Sequence, residues 1–314
     1  MAIVTFLKKI KRKAVQREKN RWRYGSKYKI EGKKRNKKAV LFVLAGYKEY
    51  LWSDVFFRIK AFQPEDLEVC IASSGKYCEE LSTICRENNW VYLSTKLNNM
   101  CVLTNVILRE FNNAEYYFKL DEDIYIPENY FSDMIEAYNR IEAREPNYKI
   151  GYICPYLPLG SYSMREYLIE KGKINEFEQK FGHLYFGGPQ VNLSFRENKG
   201  IDPYIWNIIK NFDDEARRIK NKGFRYTLCP IRTGIAAIVF KRELWEKLGS
   251  LKRPKGVGWG EQGDEAQITA FCACNYLVNF RVDDVLVGHF AFGGAEPTVL
   301  KVKEEHPEFF SFNC

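Results

Sequence analysis

The sequence predicts an α/β protein built on a doubly wound, mainly parallel central sheet flanked by helices. Three observations lead there. Residues 39–47, Ala-Val-Leu-Phe-Val-Leu-Ala-Gly-Tyr, form a continuous apolar run of strand length, as expected of a strand buried on both faces. Comparable runs recur at 67–75, 90–93 and 114–120, with stretches of helical spacing between them. The 314 residues and 46% hydrophobic content supply a core of that size.

Taken in order, 39–47 is the first core strand, beginning where a charged segment stops. Residues 50–62 have helical spacing and end before Pro64. The run 67–75 reads as a second strand closing in the polar turn Ser73-Ser74-Gly75, and a helix is expected from about 77 to 88. A third short strand covers 90–93, and 104–111 is part of another helix. Residues 114–120 form a strand that delivers Asp121 to its carboxyl end, and a helix follows from about 127 to 142. Beyond it the pattern loosens. Residues 150–230 are rich in Tyr, Phe, Gly and Pro, including 182–189, Gly-His-Leu-Tyr-Phe-Gly-Gly-Pro, and are expected to be extended and partly irregular. Regularity returns with a strand at 233–240, a helix at 242–248, a glycine-rich loop at 256–260, a helix running to about 274 and a last strand-like segment at 282–289. No internal repeat is present.

Charge is distributed unevenly. Residues 1–38 hold 16 of the 49 Lys and Arg and only two acids, Glu18 and Glu31, so the remaining 276 residues carry a net charge of −5. The basicity belongs to an N-terminal arm and not to the fold. Met1 to Leu7 form a short apolar patch before Lys8-Lys9-Ile10-Lys11-Arg12-Lys13, and Trp22 and Tyr24 lie further on among arginines. A solvated arm and contact with an anionic membrane surface both suit this composition; nucleic acid suits it less. The apolar patch is shorter than a signal-peptide core, and no run elsewhere approaches a spanning helix.

Nine cysteines, at 70, 78, 85, 101, 154, 229, 272, 274 and 314, are an odd number set largely at apolar positions. Reduced, buried thiols of a cytoplasmic protein fit them better than a disulfide framework. Cys272-Ala273-Cys274 lacks the spacing and the second pair of a zinc site.

The chemistry concentrates at Asp121-Glu122-Asp123. Three adjacent carboxylates at the exit of a buried strand require a cation or comparable compensation. A hard divalent ion with oxygen ligands meets that need and bridges to phosphate oxygens. An exposed turn, or a helix cap ahead of Pro127, is the plainer alternative. In an open parallel sheet, Ala45-Gly46-Tyr47, Ser73-Ser74-Gly75 and the three acids gather beyond the carboxyl strand ends, where ligands bind.

Residues 116–131, Tyr-Tyr-Phe-Lys-Leu-Asp-Glu-Asp-Ile-Tyr-Ile-Pro-Glu-Asn-Tyr-Phe, resemble the Asp-x-Asp region of GT-A fold nucleotide-sugar glycosyltransferases, especially family 2. Further similarities follow in the same order. Ala45, Gly46, Tyr47 and Glu49 resemble the nucleotide-binding opening, and Asn98 and Asn105 its donor-side loop and helix. The stretch from Gly234 through Arg242 to Gly249 resembles the block before the acceptor site. Gly260-Glu261-Gln262-Gly263-Asp264-Glu265 is similar to the acidic motif that carries the general base, and His289 stands where a late histidine completes a metal shell. The similarity spans about 39–140 and 230–292. It departs at Glu261-Gln262, where the family has a Glu-Asp pair, and in the first turn, which lacks the usual Pro-x-Tyr/Phe-Asn wording.

The resemblance implies a GT-A domain over 39–314, with a nucleotide-sugar half at 39–140 and an acceptor half at 141–314. It implies Mn²⁺ or Mg²⁺ held by Asp123, Asp121 and His289, and a nucleoside-diphosphate sugar, a UDP-sugar foremost, contacted by Ala45, Gly46, Tyr47, Glu49, Ser73, Ser74, Asn98, Asn105, Asp121 and Glu122. Asp264 is expected as the base, with Glu265 and Glu261 beside it. Trp259 and His183 are acceptor contacts on this reading, although Trp259 also suits a loop anchor and His289 a structural hydrogen bond. The implied activity is inverting transfer to a saccharide or lipid-linked acceptor in polysaccharide or glycoconjugate synthesis, at the inner face of the cell membrane. Two alternatives are a nucleotidyltransferase, whose glycine-rich basic loop is missing after the first strand, and a non-catalytic saccharide-binding or scaffold protein.

Overall fold

The computed structural model describes residues 10, 13, 27–159, 163–187, 195, 197–253, 263–291 and 293–312. The strands are β1 (Tyr28–Glu31), β2 (Ala39–Leu44), β3 (Leu67–Ser74), β4 (Val91–Thr95), β5 (Tyr116–Asp121), β6 (Ile124–Tyr125), β7 (Lys149–Tyr156), β8 (Tyr226–Leu228), β9 (Ala237–Lys241), β10 (Leu277–Leu286) and β11 (Gly288–His289). The helices are α1 (Glu49–Phe62), α2 (Glu79–Glu87), α3 (Met100–Glu110), α4 (Tyr130–Arg144), α5 (Ser163–Glu170), α6 (Ile174–Phe181), α7 (Ile201–Ile209), α8 (Phe212–Lys220), α9 (Arg242–Leu248), α10 (Asp264–Cys274) and α11 (Glu296–Glu305).

Among the described residues, nine strands form one sheet in the order β1-β4-β3-β2-β5-β9-β7-β10-β8. The run β4-β3-β2-β5 is parallel, as the continuous apolar strands predict. β9 enters antiparallel between β5 and β7. The side-chain period reports burial but not strand direction, so this reversal is invisible in the sequence.

Alternate residues of the central strands feed two cores. Leu41 and Val43 of β2 face the side covered by α1 and α4, with Leu51, Trp52, Val55, Met134 and Ile141. Val40, Phe42 and Leu44 face the other side, with Leu103 and Val106 of α3 and Ile268 of α10. Each core-facing aliphatic side chain contributes about 1.5–3 kcal/mol of burial, so β2, buried at every position, is the centre of the fold.

Two expectations need correction. Residues 150–230 are far more regular than their composition suggests, holding most of β7, helices α5 to α8 and β8. Asn211 shows why: its side chain caps α8 by accepting from Asp214 N at 2.9 Å. The sheet also begins inside the basic segment, because β1 pairs antiparallel with β4, Tyr28 opposite Thr95. Lysines and glutamates on such an edge strand hide it in the sequence while protecting the edge.

The topology locates the site. The chain leaves β2 towards β3 and β4, then returns on the other side of β2 as β5, with Leu44 in register with Asp121. The switch point between β2 and β5 opens a crevice at the carboxyl ends, where Ala45-Gly46-Tyr47 and Asp121-Glu122-Asp123 lie side by side.

Candidate active site

The turn after β2 is built on Glu122. Its carboxylate accepts from Gly46 N at 2.8 Å, Tyr47 N at 3.0 Å and Trp52 Nε1 at 2.6 Å. Gly46 takes φ +133°, a conformation that L side chains rarely adopt, and an added Cβ would lie 3.2 Å from Lys76 Cε. Glu122, read from sequence as a donor contact, is therefore the internal anchor of the turn. The flanking acids are directed elsewhere.

Asp123 is buried and meets a histidine from the far end of the chain. β11 pairs with β6, His289 opposite Ile124, and Phe290 N donates to the Asp123 carbonyl at 2.9 Å. This places His289 Nε2 3.2 Å from Asp123 Oδ2. The ammonium of Lys48, the residue before α1, bonds the same Oδ2 and lies 2.9 Å from Glu296 Oε1. Burial alone would raise the Asp123 carboxyl, but His289 and Lys48 outweigh it and hold it well below its usual range. Burial would lower His289, and the charge of Asp123 overrides that and raises it.

Asp121, partly exposed, is bound to a different cation. Lys119 sits two residues earlier on the same face of β5 and donates to Asp121 Oδ1 at 2.7 Å and to the Ile235 carbonyl at 2.8 Å. Lys119 is buried, which disfavours its charge, yet Asp121, Asp264 and Glu265 together push its pKa up. Lys119 and Asp264 also line one small cavity of about 10 Å³ with Phe42, Thr104 and Leu108. Asp264, the first residue of α10, thus lies near Lys119 and Asp121. Glu265 is held by Arg232 and accepts weakly from Ile235 N.

The other predicted residues divide clearly. Asn105 is buried, and its amide exchanges hydrogen bonds with Leu251 N and O at 2.9 Å, fastening α3 to the segment before α10. Ser73 donates to Lys76 O at 2.7 Å, and Ser74 donates to Leu97 O and accepts from Asn99 N. These three side chains shape the crevice wall through backbone contacts. Asn98 is exposed beside Gly75, whose absent Cβ leaves it room, and Tyr47 is exposed with its hydroxyl donating to Ser74 O. Glu49 is exposed, 3.7 Å from Lys76. His183 pairs with Glu178 at 2.9 Å and packs on Tyr185. Trp259 and Glu261 lie outside the described residues.

A divalent ion fits part of the expected shell. Two ligands about 2.1 Å from one ion at a right angle stand about 3 Å apart, close to the Asp123–His289 separation. Asp121 does not complete a set of three: among the described residues no cluster of three or more His, Cys, Asp or Glu could hold an ion. Among the described residues Asp123 and His289 would serve as ligands, leaving positions for water and phosphate oxygens, as hard ions commonly use them. Sequence reasoning missed Lys48, Lys119 and Glu296. Only Lys119 carried a local signal, its two-residue offset from Asp121.

No protein-family model matches the chain, and no curated protein matches it. Solved structures do. The mannosyltransferase PcManGT from Pyrobaculum calidifontis, in complex with GDP-Man and Mn²⁺, aligns with a TM-score of 0.46 and 12% identity over 86% of this chain and 62% of that one. GalNAc-T7 with UDP, GalNAc and Mn²⁺ aligns with a TM-score of 0.48 and 12% identity over 87% of this chain and 49% of that one. S. aureus TarS 1-349 aligns over 38% of this chain and 35% of its own, at a TM-score of 0.32 and 14% identity. The chain therefore spans between about half and three-fifths of the length of the first two.

Proposed function

We propose that the chain is a GT-A glycosyltransferase that uses a divalent ion to transfer a sugar from a nucleoside-diphosphate donor to a saccharide or lipid-linked saccharide hydroxyl. The observation that supports this most is Asp123 facing His289 at 3.2 Å at the β2–β5 switch point, with Asp264 near Lys119 and Asp121. A pair that would hold an ion, with a carboxylate near it to take a proton, is what a displacement at an anomeric carbon requires.

Asp123 and His289 would hold Mn²⁺ or Mg²⁺, which when bound offsets charge on the departing diphosphate. The turn at Gly46 and Tyr47 positions the nucleotide end of the donor. Asp264 takes the proton of the acceptor hydroxyl as its oxygen forms the new bond to the anomeric carbon. The bond from that carbon to the diphosphate breaks, and the nucleoside diphosphate leaves with the electron pair. One in-line displacement inverts the anomeric configuration. Residues 1–38 would bring the site to an anionic membrane surface, and among the described residues no helix is long and apolar enough to cross a membrane.

The test incubates the full chain with Mn²⁺, a panel of UDP-, GDP- and TDP-sugars, and saccharide or lipid-linked acceptors. Acceptor-dependent release of one nucleoside diphosphate, with an inverted product linkage, is expected. Failure of every donor to be bound or turned over would refute the assignment.

A further inference from the structure

The cation position at Asp123 is already claimed by a side chain. Asp123 Oδ2 receives both His289 and Lys48, and Lys48 is also paired with Glu296 at the start of α11. Lys48 is partly exposed, at 26%, whereas the Asp123 side chain is 4% exposed. The ammonium can therefore move into the crevice, and the carboxylate cannot follow it.

A divalent ion bound by Asp123 Oδ2 and His289 Nε2 would meet the Lys48 ammonium on the same carboxylate oxygen, and two cations in contact repel. With two protein ligands among the described residues, the ion has little with which to displace the lysine. A diphosphate changes both terms, because it adds oxygen ligands to the ion and gives the displaced ammonium a new anion.

We propose that Lys48 is the resident counter-ion of the Asp123–His289 pair, excluding a divalent ion from the donor-free chain and crossing to the donor diphosphate when donor and ion arrive together. Glu296 stays beside Lys48 in both positions and limits its travel. The inference rests on the glycosyltransferase reading for the identity of the anion, but its first consequence concerns the donor-free protein alone.

Lys48→Met and Lys48→Gln test it. Both remove the charge at a partly exposed position before α1, and unchanged circular dichroism and melting temperature would verify folding. Mn²⁺ is titrated into the full chain without nucleotide, followed by the electron spin resonance of free Mn²⁺. Both variants are expected to bind Mn²⁺ about tenfold or more tightly than the unsubstituted chain. In saturating Mn²⁺, the nucleoside diphosphate that best stabilises the unsubstituted chain should stabilise both variants less.

Equal or weaker Mn²⁺ binding by both variants overturns the role of Lys48, and leaves the glycosyltransferase reading standing if a nucleoside diphosphate with Mn²⁺ still stabilises the unsubstituted chain. Absence of any such stabilisation, together with no Mn²⁺ binding by the variants, overturns both.

Discussion

Trp52 Nε1 donates a 2.6 Å hydrogen bond to Glu122, tying the first turn of α1 to the middle acid of the Asp-Glu-Asp run. The same carboxylate accepts from Gly46 N and Tyr47 N, so one buried side chain holds the turn after β2, the helix and the end of β5 together. Replacing Glu122 by Ala orphans three donors. The expected cost is about 2–3 kcal/mol in urea unfolding, with weaker nucleotide binding as the turn loosens. A variant as stable as the parent would show that the turn does not depend on this anchor.

Arg58 makes a second long-range tie. It is 1% exposed and bonds both carboxylate oxygens of Asp213, at 2.7 and 2.8 Å, as well as the Phe310 and Ile126 carbonyls. Arg58→Met would leave Asp213 buried without its cation, at a cost of about 3–5 kcal/mol. Chemical denaturation should register that loss with little change in the dependence on denaturant.

Glu215 gives the fold an acid-sensitive element away from the crevice. Burial alone would raise its carboxyl, but hydrogen bonds from Arg218 and Lys171 outweigh this and hold it below the usual range. A depressed folded value contributes stability above the unfolded value of about 4.3, and that stability is lost as pH falls through the folded value. Glu215→Gln should therefore cost about 2 kcal/mol at pH 7, with the gap from the parent narrowing at pH 3.5. A gap independent of pH would contradict the sign of the shift.

Asp264→Asn separates chemistry from donor binding. Transfer should fall by about 10²- to 10⁴-fold while nucleotide-dependent thermal stabilisation persists. Glu265→Gln should retain far more turnover, because Arg232 already engages that carboxylate. The reverse ranking would move the base to Glu265.

Removing residues 1–26 leaves β1 and its pairing with β4 intact. The shortened chain should keep its melting temperature and lose sedimentation with anionic vesicles, an effect of several basic residues at about 1 kcal/mol each near the surface. Undiminished sedimentation would remove the arm from membrane contact.

Much of the crevice between β2 and β5 was legible because it is local in sequence. The apolar run of β2 and the strand before Asp121 mark a parallel core, whereas the return of β5 to the free side of β2 is visible only in the fold, because alternating strands and helices do not fix strand order. His289 was singled out through its place in an ordered set of motifs, and the fold brings it to Asp123. Lys48 and Glu296 were not, because their roles exist only once α11 and the turn after β2 converge on Asp123. The structural part of Asn105 was equally hidden: its amide holds Leu251, a contact that exists only once α3 meets the segment before α10. Residues 150–230 hid their helices behind aromatic side chains: Phe177 packs on Tyr204, and Trp206 on Tyr125 of β6, so aromatic contacts blur the apolar period.

The central claim is that Asp123, with His289, is where ion and diphosphate meet. Its most direct test is the melting temperature of the parent chain and of Asp123→Asn, each with nucleoside diphosphates, with and without Mn²⁺. The account predicts Mn²⁺-dependent stabilisation of the parent by one nucleotide class, and at least about a hundredfold weaker nucleotide affinity in Asp123→Asn. Equal Mn²⁺-dependent stabilisation of the two proteins would contradict it.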